Sequence, residues 1–269
     1  MFNFRKNNKK NFDIHYNYDG KLLGDDIPFA AVEAYKKLRT NLIFSFGGQK
    51  TPVFAVTSYQ AKTGKTITSA NIAISFAMIG KKVLLVDADM RLPAIHKAFK
   101  YKPQEKGFST LLATADSNID SYIMKTKYEN LYIVDSGIIP PNPSELLSLK
   151  SVESFFEAVS EKFDVIIVDM PPVGEVTDAA LLAPYITGYI IVVRSEITRC
   201  ADLEESVSFI EKNGGKVAGF VLNGVNLKSH KYGYRNGYGY GYGYGYGYGY
   251  GYGYSNAGER NKSANENKK

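Results

Sequence analysis

The sequence has a single cysteine, Cys200, which excludes an internal disulfide framework and fits a reducing compartment. No apolar run approaches the ~20 residues needed to span a bilayer. The opening stretch, MFNFRKNNKKNF, lacks the apolar core of a signal peptide, so a cytoplasmic protein is expected. There is no recognisable nucleic-acid-binding motif, and the net charge of +6 does not by itself point to a nucleic-acid partner. Much of that excess lies in the two termini, where it allows attraction to an anionic membrane surface or another anionic partner.

What is present is a chain of 269 residues, long enough for one full α/β domain with tails. Its organising stretch is VFAVTSYQAKTGKT, residues 53–66. Val53 to Thr57 is a short apolar, β-branched run, and a polar loop leads to Gly64-Lys65-Thr66. An Ala/Ile-rich helical stretch follows from about Ile67 to Ile79, with Gly80 set to end it. Strand, loop and helix in that order are the context in which a GK[ST] match becomes a phosphate-binding loop. Gly64 lets backbone N–H groups approach a polyphosphate, and the helix N-terminus adds partial positive charge. Lys65 can reach the β- and γ-phosphates, and the Thr66 hydroxyl can ligate Mg²⁺. The loop's first half departs from the usual pattern: Tyr59 stands where Gly or Ala is common, and Lys62 where many such loops carry glycine. The expected nucleotide-binding set is Ala61, Lys62, Thr63, Gly64, Lys65, Thr66 and Ile67.

Two later runs supply acid. VLLVD, residues 83–87, is continuously apolar and ends in Asp87, with Asp89 two residues on. VIIVD, residues 165–169, repeats the pattern and ends in Asp169. Such runs fit strands buried in a parallel sheet, and their C-terminal ends lie at the edge where open α/β sheets bind ligands. A hydrophobic strand ending in Asp is the partner that a phosphate loop needs to hold Mg²⁺, directly or through water.

The remaining pattern is alternating. An amphipathic helix starts near Pro28, with Val32, Tyr35, Leu38, Leu42 and Phe46 on one face and Glu33, Lys36 and Arg39 on another. That charged face reads as a surface ladder or a docking face for a neighbouring subunit. Short helices are expected over 107–115, 152–163, 177–183 and 201–212, with Asn142 or Ser144 capping a helix after the Pro-rich turn. Strands are expected over 131–134, 189–193 and 217–222. The fold class is therefore α/β: a P-loop NTPase-like, mostly parallel central sheet flanked by helices. The expected boundaries are a mobile basic segment over 1–27, a domain over 28–230 and a tail over 231–269. From Gly237 to Tyr254 the tail is strictly alternating Gly-Tyr. Glycine at every second position leaves no second face to pack and makes ordering costly, so a disordered C-terminal tail is expected. Its hydroxyls read as a tethered array of phosphate acceptors at high effective concentration.

Together the GKT loop, VLLVDADMR, GIIPPNPSELL, VIIVDMPP and the tyrosine cluster resemble bacterial tyrosine kinases. Within that family they resemble the stand-alone Gram-positive type associated with capsule and exopolysaccharide synthesis. The resemblance covers about residues 28–254. It implies an ATP- and Mg²⁺-dependent protein-tyrosine autokinase that regulates capsular or exopolysaccharide synthesis and export. Lys65 and Thr66 would bind phosphates and Mg²⁺, and Asp87 would act as base toward the acceptor tyrosine. Asp89 and Asp169 would complete the metal site. Asn223 lies where the wider superfamily contacts adenine or ribose. The acceptors would be Tyr238, Tyr240, Tyr242, Tyr244, Tyr246, Tyr248, Tyr250, Tyr252 and Tyr254. The family's ring-forming helix carries a glutamate and two arginines spaced by three. Glu33, Lys36 and Arg39 match it with one Arg replaced by Lys, which keeps charge but loses the bidentate fork. The implied partners are a ring-like homo-oligomer, a membrane activator of polysaccharide co-polymerase type and a cognate tyrosine phosphatase. The activator would hold the kinase at the inner face of the membrane.

Two other function classes fit part of the pattern. MinD/ParA-like switch ATPases share the loop, but their signature lysine four residues before the GK glycine is Gln60 here, and their division-site membrane helix has no counterpart. A catalytically weak scaffold whose Gly-Tyr tail binds partners is the other, favoured by Lys62.

Overall fold

The computed structural model describes residues 21–24 and 27–225. The chain divides into two units, Met1–Val225 and Asn226–Lys269, and the fold below is that of the first. In chain order its elements are α1 (Phe29–Phe46), β1 (Val53–Thr57), α2 (Lys65–Ala77), β2 (Val83–Asp87), α3 (Ile95–Phe99) and α4 (Phe108–Thr114). Then come β3 (Met124–Lys125), β4 (Leu131–Val134), α5 (Pro143–Leu147), α6 (Ser151–Ser160), β5 (Val165–Asp169) and α7 (Asp178–Leu181). The last are β6 (Gly188–Arg194), α8 (Cys200–Lys212) and β7 (Val217–Asn223). The expected tail acceptors, Tyr238 to Tyr254, and residues 1–20 lie outside the described residues.

The sheet runs β3-β4-β2-β5-β1-β6-β7. Neighbours are parallel except at the β3–β4 edge. β1, β2 and β5 are buried at every residue, because helices cover both faces of the sheet. Side chains alternate between those faces. Val53, Ala55, Leu84 and Val86 point into one core with Phe108 of α4, Phe155 of α6 and Ile210 of α8. Phe54, Val56 and Leu85 point into the other, against Ala70 and Ile74 of α2 and Leu42 and Phe46 of α1. Each fully buried phenylalanine or leucine contributes about 1.5–3 kcal/mol relative to exposure, and Phe54→Ala would cost about 3–5 kcal/mol.

The strand order positions the chemistry. β1 and β2 are consecutive in sequence, yet β5 lies between them. Asp169, at the end of β5, therefore sits between the loop leaving β1 and Asp87, with which it is in register. This is the C-terminal edge of an open parallel sheet where the strand order reverses, the usual ligand edge of such folds.

Several local features differ from what the sequence patterning suggests. α2 begins at Lys65, two residues earlier than expected, with Gly64 as its N-terminal cap. It ends at Ala77; Gly80, at φ 81, closes the turn by donating to the Ala77 carbonyl. α3 was not anticipated. Asn142 precedes Pro143 and makes no side-chain cap bond, and the Ser144 hydroxyl is drawn to Asp178 instead, at 2.8 Å. α7 ends at Leu181, and a 3-10 turn containing Pro184 follows, since proline cannot continue the ladder. The segment expected to be mobile through residue 27 is anchored near its end. Leu22 and Leu23 are buried in the α1/α2 core, and the Leu23 N–H donates to Asn71 Oδ1 at 2.7 Å.

Candidate functional site

The loop from Ser58 to Gly64 joins β1 to α2, and its shape depends on two left-handed residues. Gly64 stands at φ 95, and a Cβ added there would land on the Asn223 amide nitrogen. That amide donates to the Thr63 carbonyl at 2.9 Å, so the end of β7 is tied to the loop. Lys62 stands at φ 61, the region glycine enters freely and other residues enter at a cost of about 1–2 kcal/mol. The loop thus keeps a glycine-like path with a lysine in it. Upstream, the Tyr59 hydroxyl donates to Glu205 Oε2 of α8 at 2.8 Å, and its ring lies against Gly174. The Ala61 N–H donates to Glu175 Oε1 at 2.9 Å.

Behind the loop lie three aspartates. Asp87 and Asp169 are fully buried and Asp89 is 2% exposed. Lys65 Nζ meets Asp89 Oδ2 at 2.6 Å, with both side chains largely withdrawn from water. Burial alone would disfavour the ammonium, but Asp169 and Asp89 outweigh it and hold the Lys65 pKa above its usual value. Asp87 Oδ2 accepts from the N–H groups of Ala94 and Ile95 at 3.3 and 3.2 Å, which fixes the start of α3. Burial first, then the neighbouring Asp169, push the Asp87 pKa well above the carboxylate range, and the Ile95 N–H only partly offsets them. Asp169 is also raised by burial, with Lys65, Thr66 and Ser69 pulling it back; the Ser69 hydroxyl donates to its Oδ1 at 2.9 Å.

Arg91, just beyond Asp89, is clamped by a residue from a distant part of the chain. Its Nε and Nη2 donate to the two oxygens of Asp178, each at 2.9 Å. Ser144 Oγ donates to the same carboxylate and accepts from Arg91 Nη2 at 2.8 Å. Asp178 raises the Arg91 pKa through this bond, and the cluster fixes the strand-end segment that carries Asp89.

A cavity of about 290 Å³ opens over this arrangement, lined by Lys62, Gly64, Lys65, Thr66, Asp89 and Arg91 among others. A larger groove of about 420 Å³ shares Glu175 and Val176 with it and is bounded by Tyr59, Glu205 and Phe209. The donor set fits a hard divalent cation. Oδ2 of Asp169 is buried without a hydrogen-bond partner among the described residues, and a buried carboxylate oxygen left so is costly. No group of three His, Cys, Asp or Glu among the described residues could hold a metal alone. Mg²⁺ is commonly held by one or two carboxylates together with substrate phosphates.

Of the residues expected from the sequence, Ala61, Lys62, Gly64, Lys65, Thr66, Ile67 and Asp89 line one cavity. Thr63 is buried beside them, and Asp87 and Asp169 lie beneath rather than on the wall. Asn223 reaches the loop from behind. The charged residues of α1 lie on a different element and are engaged within the chain. Lys36 pairs with Glu33 at 2.8 Å, and Arg39 Nη1 donates to the Ser75 carbonyl of α2 at 2.5 Å. Sequence reasoning did not single out Arg91, Asp178, Ser144's bond or Glu175. Arg91 was visible within ADMR, whereas Asp178 in TDAA carries no signal beyond that of a helix-start acid.

A family profile described as an AAA domain matches residues 52–213. The tyrosine-protein kinase CpsD of Streptococcus agalactiae is 35% identical over 206 residues, 77% of this chain and 89% of that protein. The tyrosine-protein kinase YwqD of Bacillus subtilis is 34% identical over 203 residues, 75% of this chain and 85% of that one. Among solved structures, the kinase domain of the Escherichia coli tyrosine kinase ETK superposes with a TM-score of 0.70 at 31% identity, covering 79% of this chain and 80% of that one. Among the described residues no helix is long and apolar enough to cross a membrane. The fold is that of a P-loop nucleotide-binding protein, and the agreement with these kinases extends along most of their length: the chain belongs to the bacterial tyrosine-kinase (BY-kinase) family.

Proposed function

We propose that the chain is an ATP:protein-tyrosine phosphotransferase that phosphorylates its own C-terminal cluster, Tyr238 to Tyr254, in trans within an oligomer. The observation that carries this reading is the convergence of Lys65 and Thr66 with Asp87, Asp89 and Asp169 at the ends of three adjacent strands. The names of the relatives support the chemistry.

The roles follow from charge and geometry. Lys65 exchanges its Asp89 partner for phosphate oxygens, and the loop N–H groups hold the polyphosphate at the start of α2. Thr66, Asp89 and Asp169 would hold Mg²⁺, which would supply neutralisation of the phosphate charge. A phenol with a pKa near ~10 needs a base to attack at neutral pH, and by resemblance Asp87, at the end of β2 beside Asp169, is the group to take that proton. The phenolic oxygen forms the new bond to the γ-phosphorus, the bond to the bridging oxygen breaks, and ADP leaves with that electron pair. The proton ends on Asp87 Oδ1, the oxygen with no other partner.

Asn223, tied to the loop at Thr63, borders the base or ribose. By resemblance, Glu33, Lys36 and Arg39 contribute to a ring-like assembly. A polysaccharide co-polymerase-like activator holds the kinase at the inner membrane face, a tyrosine phosphatase reverses the reaction, and the pathway served is capsular or exopolysaccharide synthesis. Deleting residues 232–254 tests the acceptor assignment. Phosphotyrosine should largely disappear while nucleotide affinity stays; full labelling of the truncated chain would place the acceptors elsewhere.

A further inference from the structure

Three cationic side chains line the phosphate cavity: Lys62, Lys65 and Arg91. Two are engaged by carboxylates, Lys65 by Asp89 at 2.6 Å and Arg91 by Asp178 at 2.9 Å. The Ala61 N–H, an amide at the phosphate-facing loop, is likewise taken by Glu175. Lys62 is different. It is exposed, and no ion pair joins its ammonium to any of the described residues.

Its backbone makes the lysine harder to explain as a loop-builder. At φ 61 the residue occupies a conformation that glycine adopts without strain and lysine does not. The loop path therefore does not need the side chain, and strain retained at a ligand site points to what that side chain does there. A nucleotide's terminal phosphate carries about −1.5 to −2 charge. An exposed cation on the wall of the same cavity can meet that charge.

We propose that Lys62 is a second phosphate-binding cation of this loop, one that recognises the terminal phosphate of a nucleoside triphosphate and sets its preference over the diphosphate. Lys62 attracts the triphosphate first, while Lys65 and the Ala61 N–H still hold Asp89 and Glu175. The incoming oxygens then displace those carboxylates from Lys65 and from the Ala61 N–H. The inference rests on the nucleotide-binding part of the function proposed above and is independent of whether phosphate is passed to tyrosine.

The test uses the full chain and the variants Lys62→Gly, Lys62→Met and Lys62→Arg. Kd for Mg-ATP and Mg-ADP is measured by calorimetric titration, and Tm by thermal melting. Lys62→Gly is expected to leave Tm unchanged or raise it, while weakening ATP binding about tenfold and ADP binding less than about threefold. Lys62→Met should show the same affinity loss, and Lys62→Arg should keep the wild-type ATP-to-ADP ratio. The proposal is overturned if Lys62→Gly binds both nucleotides as wild type does. It is also overturned if ATP and ADP weaken equally, or if Lys62→Arg loses as much as Lys62→Gly. Failure of the kinase reading looks different: wild-type affinities and ratio, with no phosphotyrosine formed.

Discussion

Replacing Lys65 with methionine should do more than remove a phosphate ligand. It withdraws the ammonium that faces Asp89, Asp87 and Asp169 and leaves Asp89, 2% exposed, without its partner. With the two side chains of the pair only 10% and 2% exposed, water screens little. Breaking a buried pair by removing one partner costs about 3–5 kcal/mol, a large share of the ~5–15 kcal/mol that holds a domain together. At about 2–4 °C per kcal/mol for a domain of this size, Lys65→Met should melt roughly 6–20 °C below wild type near pH 8. The deficit should shrink on acidification. Burial and mutual repulsion already raise the Asp87 and Asp169 pKa values, and loss of Lys65 raises them further. Stability is then fully present below the ordinary carboxylate range and lost as pH rises through the raised values. Lys65→Met with Asp89→Asn should recover part of the loss, because Asp89 is then no longer a buried charge without its partner, while Asp169 still lacks the ammonium. Thermal melts of the three proteins between about pH 5.5 and 8 decide it. A Lys65→Met protein that melts within about 2 °C of wild type at pH 8, or a double variant less stable than the single one, would refute the reasoning. If it holds, the double variant is the folded, inactive control for kinase assays.

Asp87→Asn should abolish phosphotransfer while leaving nucleotide binding in place. Because the native pKa of Asp87 is raised, the wild type should lose stability as pH rises from the ordinary carboxylate value of ~4, and this variant should flatten that slope in the same melts. Asp178→Ala leaves Arg91 and Ser144 without their shared acceptor. Since Arg91 is 36% exposed, about 2 kcal/mol is expected in urea unfolding rather than the full cost of a buried pair. It should also reduce phosphotransfer by loosening the segment that carries Asp89.

Much of the site was legible because its strands are buried on both faces. VFAVT, VLLVD and VIIVD read as continuous apolar runs, and the aspartates that end the last two mark the ligand edge. Gly64-Lys65-Thr66 was legible for a similar reason, since few other contexts place a GKT between such a strand and an Ala/Ile-rich helix. What escaped is what depends on contacts remote in sequence. α3 is five residues long, too short for periodicity, and its start is fixed by the Asp87 carboxylate. The Arg91–Asp178 clamp joins residues 87 apart, and nothing local marks either end as the other's partner. Arg39 reads from helical spacing as part of an outward-facing ladder, yet its guanidinium is bonded to the Ser75 carbonyl, a partner 36 residues away. Leu22 and Leu23 are an isolated apolar pair in a polar stretch and carry no period, although both are buried. The sequence marked Lys62 as a departure. Only its positive φ shows that lysine occupies a glycine-like path.

The measurement that tests the central claim most directly is intact mass after incubation with Mg-ATP, with and without a candidate activator segment. Wild type is compared with the Lys65→Met/Asp89→Asn double variant and with the chain lacking residues 232–254. A ladder of phosphate additions on wild type, absent from the double variant and largely absent from the truncated chain, is the expected result. Measurable ATP hydrolysis with a verified activator present and no phosphate added to the protein would contradict it, and would leave a nucleotide-driven switch in the kinase's place.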